Sequence, residues 1–161
     1  MKKSYGFSYE GVRYRAVRWE GKGAGYVPAS AGTRPSVISL ASGNAPASGT
    51  FLASDGLSAA GVPHPLVLLH GFAQSADVWD EVASRLACKR PVHALDFVGQ
   101  GESERPKDPA PYALKAVSDA LLAFLRHVQQ ESGGLAPVVV GYSMGGRLAL
   151  AAACQACAGE P

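Results

Sequence analysis

Residues 138–147, Val-Val-Val-Gly-Tyr-Ser-Met-Gly-Gly-Arg, leave the chain few ways to fold. The run of β-branched residues reads as a buried strand. Leu148-Ala149-Leu150-Ala151-Ala152-Ala153 after it reads as a helix. Between them stands G-x-S-x-G, with a strand before and a helix after. A turn this sharp puts the serine in a strained backbone conformation, and Gly141 and Gly145 let strand and helix approach closely. The Ser143 hydroxyl then stands clear of the sheet, and the N–H of Met144 lies at a helix N-terminus, where negative charge is favoured. Such a turn suits a nucleophilic serine. The same letters also fit a glycine-rich turn with a buried or capping serine.

The chain has 161 residues, enough for one domain with a real core. Its formal charge of +2 gives no reason to expect a nucleic-acid or membrane partner. No apolar run is long enough to span a bilayer. Met1-Lys2-Lys3-Ser4-Tyr5 lacks the apolar stretch of a signal peptide. Cys88, Cys154 and Cys157 make no even disulfide framework, and a reducing cytoplasm is expected. Cys154 and Cys157, one turn apart on an Ala-rich helix, read as small buried residues, and no metal site is expected.

Residues 5–20 read as a hairpin turned at Gly11, with Arg13 and Arg15 on a solvated strand face. From Gly21 to Val62 the chain is rich in Gly, Ala, Ser and Pro without helical or strand period, and reads as a long flexible insertion, with short ordered pieces possible near Val37–Leu40. Leu66-Val67-Leu68-Leu69 then reads as a strand, followed by His70-Gly71-Phe72. Ser75 is a candidate N-cap, and Val78, Val82 and Leu86 give the helix behind it an apolar stripe. Val92-His93-Ala94-Leu95 is the next strand, and Asp96 to Ser103 a glycine-punctuated loop. Leu114, Val117, Leu121, Phe124, Leu125 and Val128 mark an amphipathic helix ending at Gly133-Gly134. The helix after Ser143 runs to about Ala158. This alternation predicts an α/β fold: a mostly parallel sheet with helices on both faces and an antiparallel hairpin in front. Ligands in such sheets bind at the carboxyl ends of the strands, so Phe72, the Asp96 loop and Ser143 should cluster.

Three blocks carry a resemblance to the α/β-hydrolase superfamily. They are Leu68-Leu69-His70-Gly71-Phe72 with Ser75 and Trp79 behind it, Asp96-x-x-Gly99-x-Gly101-x-Ser103, and Gly141-Tyr142-Ser143-Met144-Gly145-Gly146. The resemblance implies one partial domain over 1–161: a hairpin (1–20), an insertion (21–62) and a βαβαβα core (63–161). It implies Ser143 as nucleophile and the backbone N–H groups of Phe72 and Met144 as oxyanion hole. His70, Gly71, Gly141, Gly145, Gly146 and Asp96 would be structural at the site, with His70 shaping the oxyanion loop and Asp96 anchoring its own. None of His64, His70, His93 and His127 is expected to be catalytic. Gln100 stands where the family often has His. No cofactor is expected.

The family presents its triad acid and then its triad His after the serine. After Ser143 this sequence has only Glu160 as an acid and no His. The expectation is therefore the N-terminal part of an enzyme, silent or nearly so until the missing C-terminal half of the fold is supplied. Tyr142 and Arg147 are expected to bind substrate. His-Gly-Phe, Trp79 and Gly-Tyr-Ser-Met-Gly-Gly-Arg look most like the menaquinone-pathway synthase family that eliminates pyruvate to form 2-succinyl-6-hydroxy-2,4-cyclohexadiene-1-carboxylate, which has an Arg at the position of Arg147. A small carboxylate-bearing substrate follows from that likeness. A carboxylic-ester hydrolase shares most of these residues, and an inactive truncated or binding domain is the alternative of another class.

Overall fold

The computed structural model describes residues 1–21 and 63–158. The insertion expected over 21–62, and the stop of the last helix at Gly159, lie outside these residues apart from Gly21. The chain opens with β1 (Lys2–Tyr9) and β2 (Val12–Trp19), which begin earlier than the aromatic alternation implied because Lys2 to Ser4 pair with Val17 to Trp19. Glu10 (φ 45°) and Gly11 (φ 79°) make the two-residue turn, both in the left-handed conformation that matches strand twist. β3 (Leu66–Leu69), α1 (Asp80–Leu86), β4 (Val92–Leu95), α2 (Leu114–Glu131), β5 (Val138–Gly141) and α3 (Met144–Ala158) follow. Short 3-10 turns at Ala76–Trp79 and Ala110–Tyr112 lead into α1 and α2.

The strands form one sheet in the order β1-β2-β4-β3-β5. β2 pairs antiparallel with both β1 and β4, and β3 pairs parallel with β4 and β5. Strand alternation sorts the apolar side chains onto two faces. Tyr14, Ala16, Val67, Leu69 and Leu95 meet Leu121, Phe124, Leu125 and Val128 of α2 and Leu148 and Ala152 of α3. Val17, Trp19, Leu66, Leu68, Val92 and Ala94 meet Ala76, Ala83 and Ala87 around α1. Each large side chain buried in this way contributes roughly 1.5–3 kcal/mol.

Several sequence expectations need correction. The stripe on α1 does not face the sheet: Val78, Val82 and Leu86 are 50%, 47% and 37% exposed, and the alanines take the contact. Asp77 and Asp80, at the entry to α1, pair with Lys2 and Arg15 of the hairpin, and small alanines let the helix lie close. Arg15 is not solvated like Arg13; its side chain is 10% exposed and ion-paired. All three cysteines are exposed free thiols, and Cys154 and Cys157 face outward because Leu148, Ala152 and Ala153 take the inner face of α3. Leu114 is exposed as well, since it opens α2 a turn before the buried stripe begins at Val117. Ser75 caps as expected, accepting the Asp77 N–H at 3.3 Å.

Candidate active site

Three loops leave the carboxyl ends of β5, β3 and β4 and meet. The first is the turn from β5 into α3. Ser143 has φ 50°, the left-handed region that non-glycine residues avoid. Glycine makes this turn possible. A Cβ on Gly141 would lie 2.4 Å from the Gly146 nitrogen, and one on Gly145 would lie 2.4 Å from the Leu69 carbonyl oxygen. Strand, turn and helix are therefore in backbone contact with the end of β3. Tyr142 donates its N–H to the Leu69 oxygen at 2.9 Å, and Gly145 to the Tyr142 oxygen at 2.9 Å. Ser143 is exposed, and its hydroxyl has no hydrogen-bond partner among the described residues. Helix starts leave their first N–H groups without an intrahelical acceptor, so the turn is electropositive.

The second loop follows β3. His70 is fully buried, its Nδ1 lies 2.8 Å from the Gly71 oxygen, and the Phe97 N–H donates to its Nε2 at 3.3 Å. Nε2 accepts, so the proton sits on Nδ1 and the ring is neutral. Burial lowers its pKa, only partly offset by the Gly71 oxygen and Asp96. Gly71 donates to Gln74 Oε1 at 2.8 Å, and a Cβ there would lie 3.0 Å from the Tyr142 ring. The Phe72 side chain is 78% exposed, and Ala73 has φ 57°.

The third loop follows β4. Asp96 is fully buried. Its Oδ1 accepts the Ala76 N–H at 2.5 Å, and its Oδ2 accepts the Glu102 N–H at 2.8 Å and Arg15 Nη1 at 3.2 Å. Asp96 thus ties the second loop as well as its own. A Cβ on Gly101 would lie 2.0 Å from Oδ2, so no side chain fits there. Gln100 Nε2 reaches Met144 Sδ at 3.6 Å, which joins the third loop to the start of α3.

The expected cluster of Phe72, Asp96 and Ser143 loops is present. Arg147 lies on the exposed side of α3, and its guanidinium has no partner among the described residues. Tyr142 is 59% exposed beside Gly71. The sequence has four histidines, all within the described residues, and none bonds to Ser143. His64 Nδ1 sits 2.7 Å from the Ala136 oxygen, near the start of β5, and His127 Nε2 is 3.6 Å from Glu131 on α2. His93 is buried with Nδ1 3.4 Å from the Tyr5 hydroxyl; burial first, then Arg18 and His127, lower its pKa to about 3. No group of three or more His, Cys, Asp or Glu that would hold a metal occurs among the described residues. A cavity lined by Met1, Lys2, Trp19, Gly21, Ser84 and Cys88 lies at the other end of the sheet from Ser143. The residues that sequence reading missed are Arg15 and Asp77. Their only signal was a charge on each of two elements far apart in the chain.

A family model described as the alpha/beta hydrolase fold matches residues 64–161. An abhydrolase domain-containing protein, abhd-5.2, of Caenorhabditis elegans is 36% identical over 89 residues, covering 53% of this chain and 19% of that protein. The mouse (Mus musculus) (lyso)-N-acylphosphatidylethanolamine lipase is 31% identical over 88 residues, covering 53% of this chain and 24% of that protein. This chain therefore corresponds to about a fifth to a quarter of the length of these curated relatives. The crystal structure of epoxide hydrolase A from Mycobacterium thermoresistibile superposes with a TM-score of 0.60 at 18% identity, over 94% of this chain and 34% of that one, a likeness of fold. Among the described residues no helix is long and apolar enough to cross a membrane. A mixed sheet led by an antiparallel hairpin, a left-handed serine between its edge strand and a helix, and the family match over 64–161 make this chain a member of the α/β-hydrolase family.

Proposed function

We propose that Ser143 is the nucleophile of a hydrolase or of a C–C/C–O lyase that acts on a small carboxylate-bearing molecule. The observation that carries this is the exposed, unpartnered Ser143 hydroxyl at φ 50°, at the head of α3. Backbone strain of this kind clusters at functional sites. In this reading the Phe72 and Met144 N–H groups stabilise the oxygen on which charge develops. His70 and Asp96 hold the loop in which the Phe72 donor lies. Tyr142 and Arg147 flank the substrate. The base that takes the Ser143 proton comes from outside the described residues, because each of the four histidines is committed elsewhere or remote. The exposed free thiols suit a cytoplasmic setting.

Arg147 favours the synthase-like substrate, a di- or tricarboxylate, over a neutral ester. It is one helical turn beyond Ser143 on the exposed side of α3, helical side chains as a rule lean toward the N-terminus, and no described residue neutralises it. The test uses a polypeptide in which the base is supplied. Ser143→Ala abolishes turnover there. Arg147→Lys slows an acidic substrate by about 2 kcal/mol in kcat/KM and leaves a small neutral ester unchanged. Equal loss on both substrates assigns Arg147 to structure. No loss on either assigns it to solvent and leaves an ester hydrolase as the reading. Turnover retained in Ser143→Ala contradicts the proposal. The reading of an inactive or binding domain rests on the same committed histidines, and it prevails if supplying the base restores no turnover.

A further inference from the structure

Arg15 sits in β2 of the N-terminal hairpin, away from the Ser143 turn, yet it touches both other loops of the site. Its Nη1 and Nη2 donate to the two oxygens of Asp77 at 2.9 and 2.8 Å, and Nη1 also donates to Asp96 Oδ2 at 3.2 Å. Nε donates to Ser4 Oγ at 3.0 Å. Its main chain adds two more ties: the Arg15 N–H donates to Ser103 Oγ, and the Arg15 oxygen accepts the Asp96 N–H, both at 2.9 Å. Asp77 is the second residue of the 3-10 turn that closes the Gly71–Ala76 loop, and Asp96 Oδ1 accepts the Ala76 N–H. The far end of that loop is therefore clamped between two carboxylates, and one planar guanidinium bridges them.

The loop needs such a clamp. Phe72 is exposed, and Ala73 is held at φ 57°. Nothing in these two side chains fixes the course of the backbone between Gly71 and Ala76. Charge alone is not the point, because Lys2 Nζ already lies 2.6 Å from Asp77. Arg15 first and Lys2 second hold the Asp77 carboxyl well below the usual carboxylate range. Only a fork with several fixed donors spans both Asp77 and the buried Asp96.

We propose that Arg15 is a positioning residue that sets the Gly71–Ala76 loop, and with it the Phe72 N–H, relative to Ser143. This rests on the reading of Ser143 as nucleophile and Phe72 as oxyanion donor. The test compares the parent chain with Arg15→Lys, which keeps the charge, and with Asp77→Asn, which leaves the buried Asp96 its partner. Amide hydrogen exchange is read at Gln74 and Ala76 and, as control, in β3 and β5. Labelling of Ser143 by a fluorophosphonate is timed in the same samples. In both variants Gln74 and Ala76 exchange about tenfold faster while β3 and β5 keep their protection. Labelling, already slow in the parent, falls at least about fivefold, as loss of an oxyanion donor's alignment requires. Unchanged loop exchange in folded variants overturns the proposal, as does faster exchange spread evenly over the strands. Faster loop exchange with unchanged labelling overturns it too. A parent that labels no faster than Ser143→Ala instead contradicts the nucleophile reading, and the proposal falls with it, even where the exchange contrast is present.

Discussion

Two turns at the same end of the sheet are built by opposite means. The turn from β5 into α3 is held by the absence of side chains: Gly141 and Gly145 bring backbone against backbone at distances no Cβ tolerates. The loop after β3 is held by side chains: His70, Gln74, Asp96 and, through Asp77, Arg15. The first fixes one atom, the Ser143 hydroxyl, in a strained backbone. The second fixes a backbone stretch that has little packing of its own. Adding a methyl group should therefore break the first, and removing a polar group should break the second.

The largest effect is expected from Gly145→Ala. The new Cβ meets the Leu69 and His70 oxygens at 2.4 and 2.7 Å, both backbone atoms of β3 and its end. Thermal or urea unfolding should show a loss of about 3 kcal/mol or more. One residue on, Gly146→Ala meets the Gly141 oxygen at 3.2 Å and gains helix propensity, so its stability stays within about 1 kcal/mol of the parent. Equal losses at both glycines would mean that helix packing in general, and not contact with β3, limits the turn.

Asp96→Ala attacks the other turn. It strands the Ala76 and Glu102 N–H groups and unpairs Arg15 from a fully buried site. A loss of about 3 kcal/mol is expected, since breaking a buried charged network leaves uncompensated groups behind. The same measurement on Ser143→Ala should show a change of less than about 0.5 kcal/mol, because that hydroxyl bonds to nothing described.

Acid should act on the buried histidines. His93 is buried and neutral, with its pKa lowered to about 3, and His70 shifts in the same direction. A histidine depressed below its unfolded value near 6.5 contributes stability that is complete above that pH and is lost as pH falls toward the folded pKa. Between pH 6.5 and 5 the parent should lose about 2 kcal/mol through His93. His93→Leu should flatten that part of the curve. A parent whose stability is constant over this range contradicts the burial assigned to the ring.

The smallest effect is expected on α1. Val82→Ser should change stability by no more than about 0.5 kcal/mol, because Val82 is 47% exposed. A loss near 2 kcal/mol would mean that the stripe packs against something beyond the described residues.

The elements were legible in the sequence because local rules govern them. Alternation drew the hairpin, apolar runs drew β3, β4 and β5, and the Leu114-to-Val128 spacing drew α2. The Ser143 turn was legible because its cause is local: glycines two residues to either side. The other turn was only half legible. His70 and Asp96 stand in a recognisable pattern, but Arg15 pairs with Asp77 across 62 residues and with Asp96 across 81. No periodicity reports such a pairing. The same pairing ties the entry to α1 to the hairpin, and the valine stripe that a 3.6-residue period assigns to the core faces outward while alanines take the contact.

The central claim is that Ser143 is chemically distinct from the other serines of the chain. Prolonged exposure of the 161-residue protein to excess fluorophosphonate, followed by peptide mass mapping, tests it directly. Slow formation of one adduct is expected, confined to Ser143 and absent in Ser143→Ala, at a rate far below that of the same chain given a base, since loss of a triad histidine costs on the order of a millionfold in kcat. Adducts spread evenly over Ser75, Ser84 and Ser143, or none at Ser143 after labelling elsewhere, would contradict it.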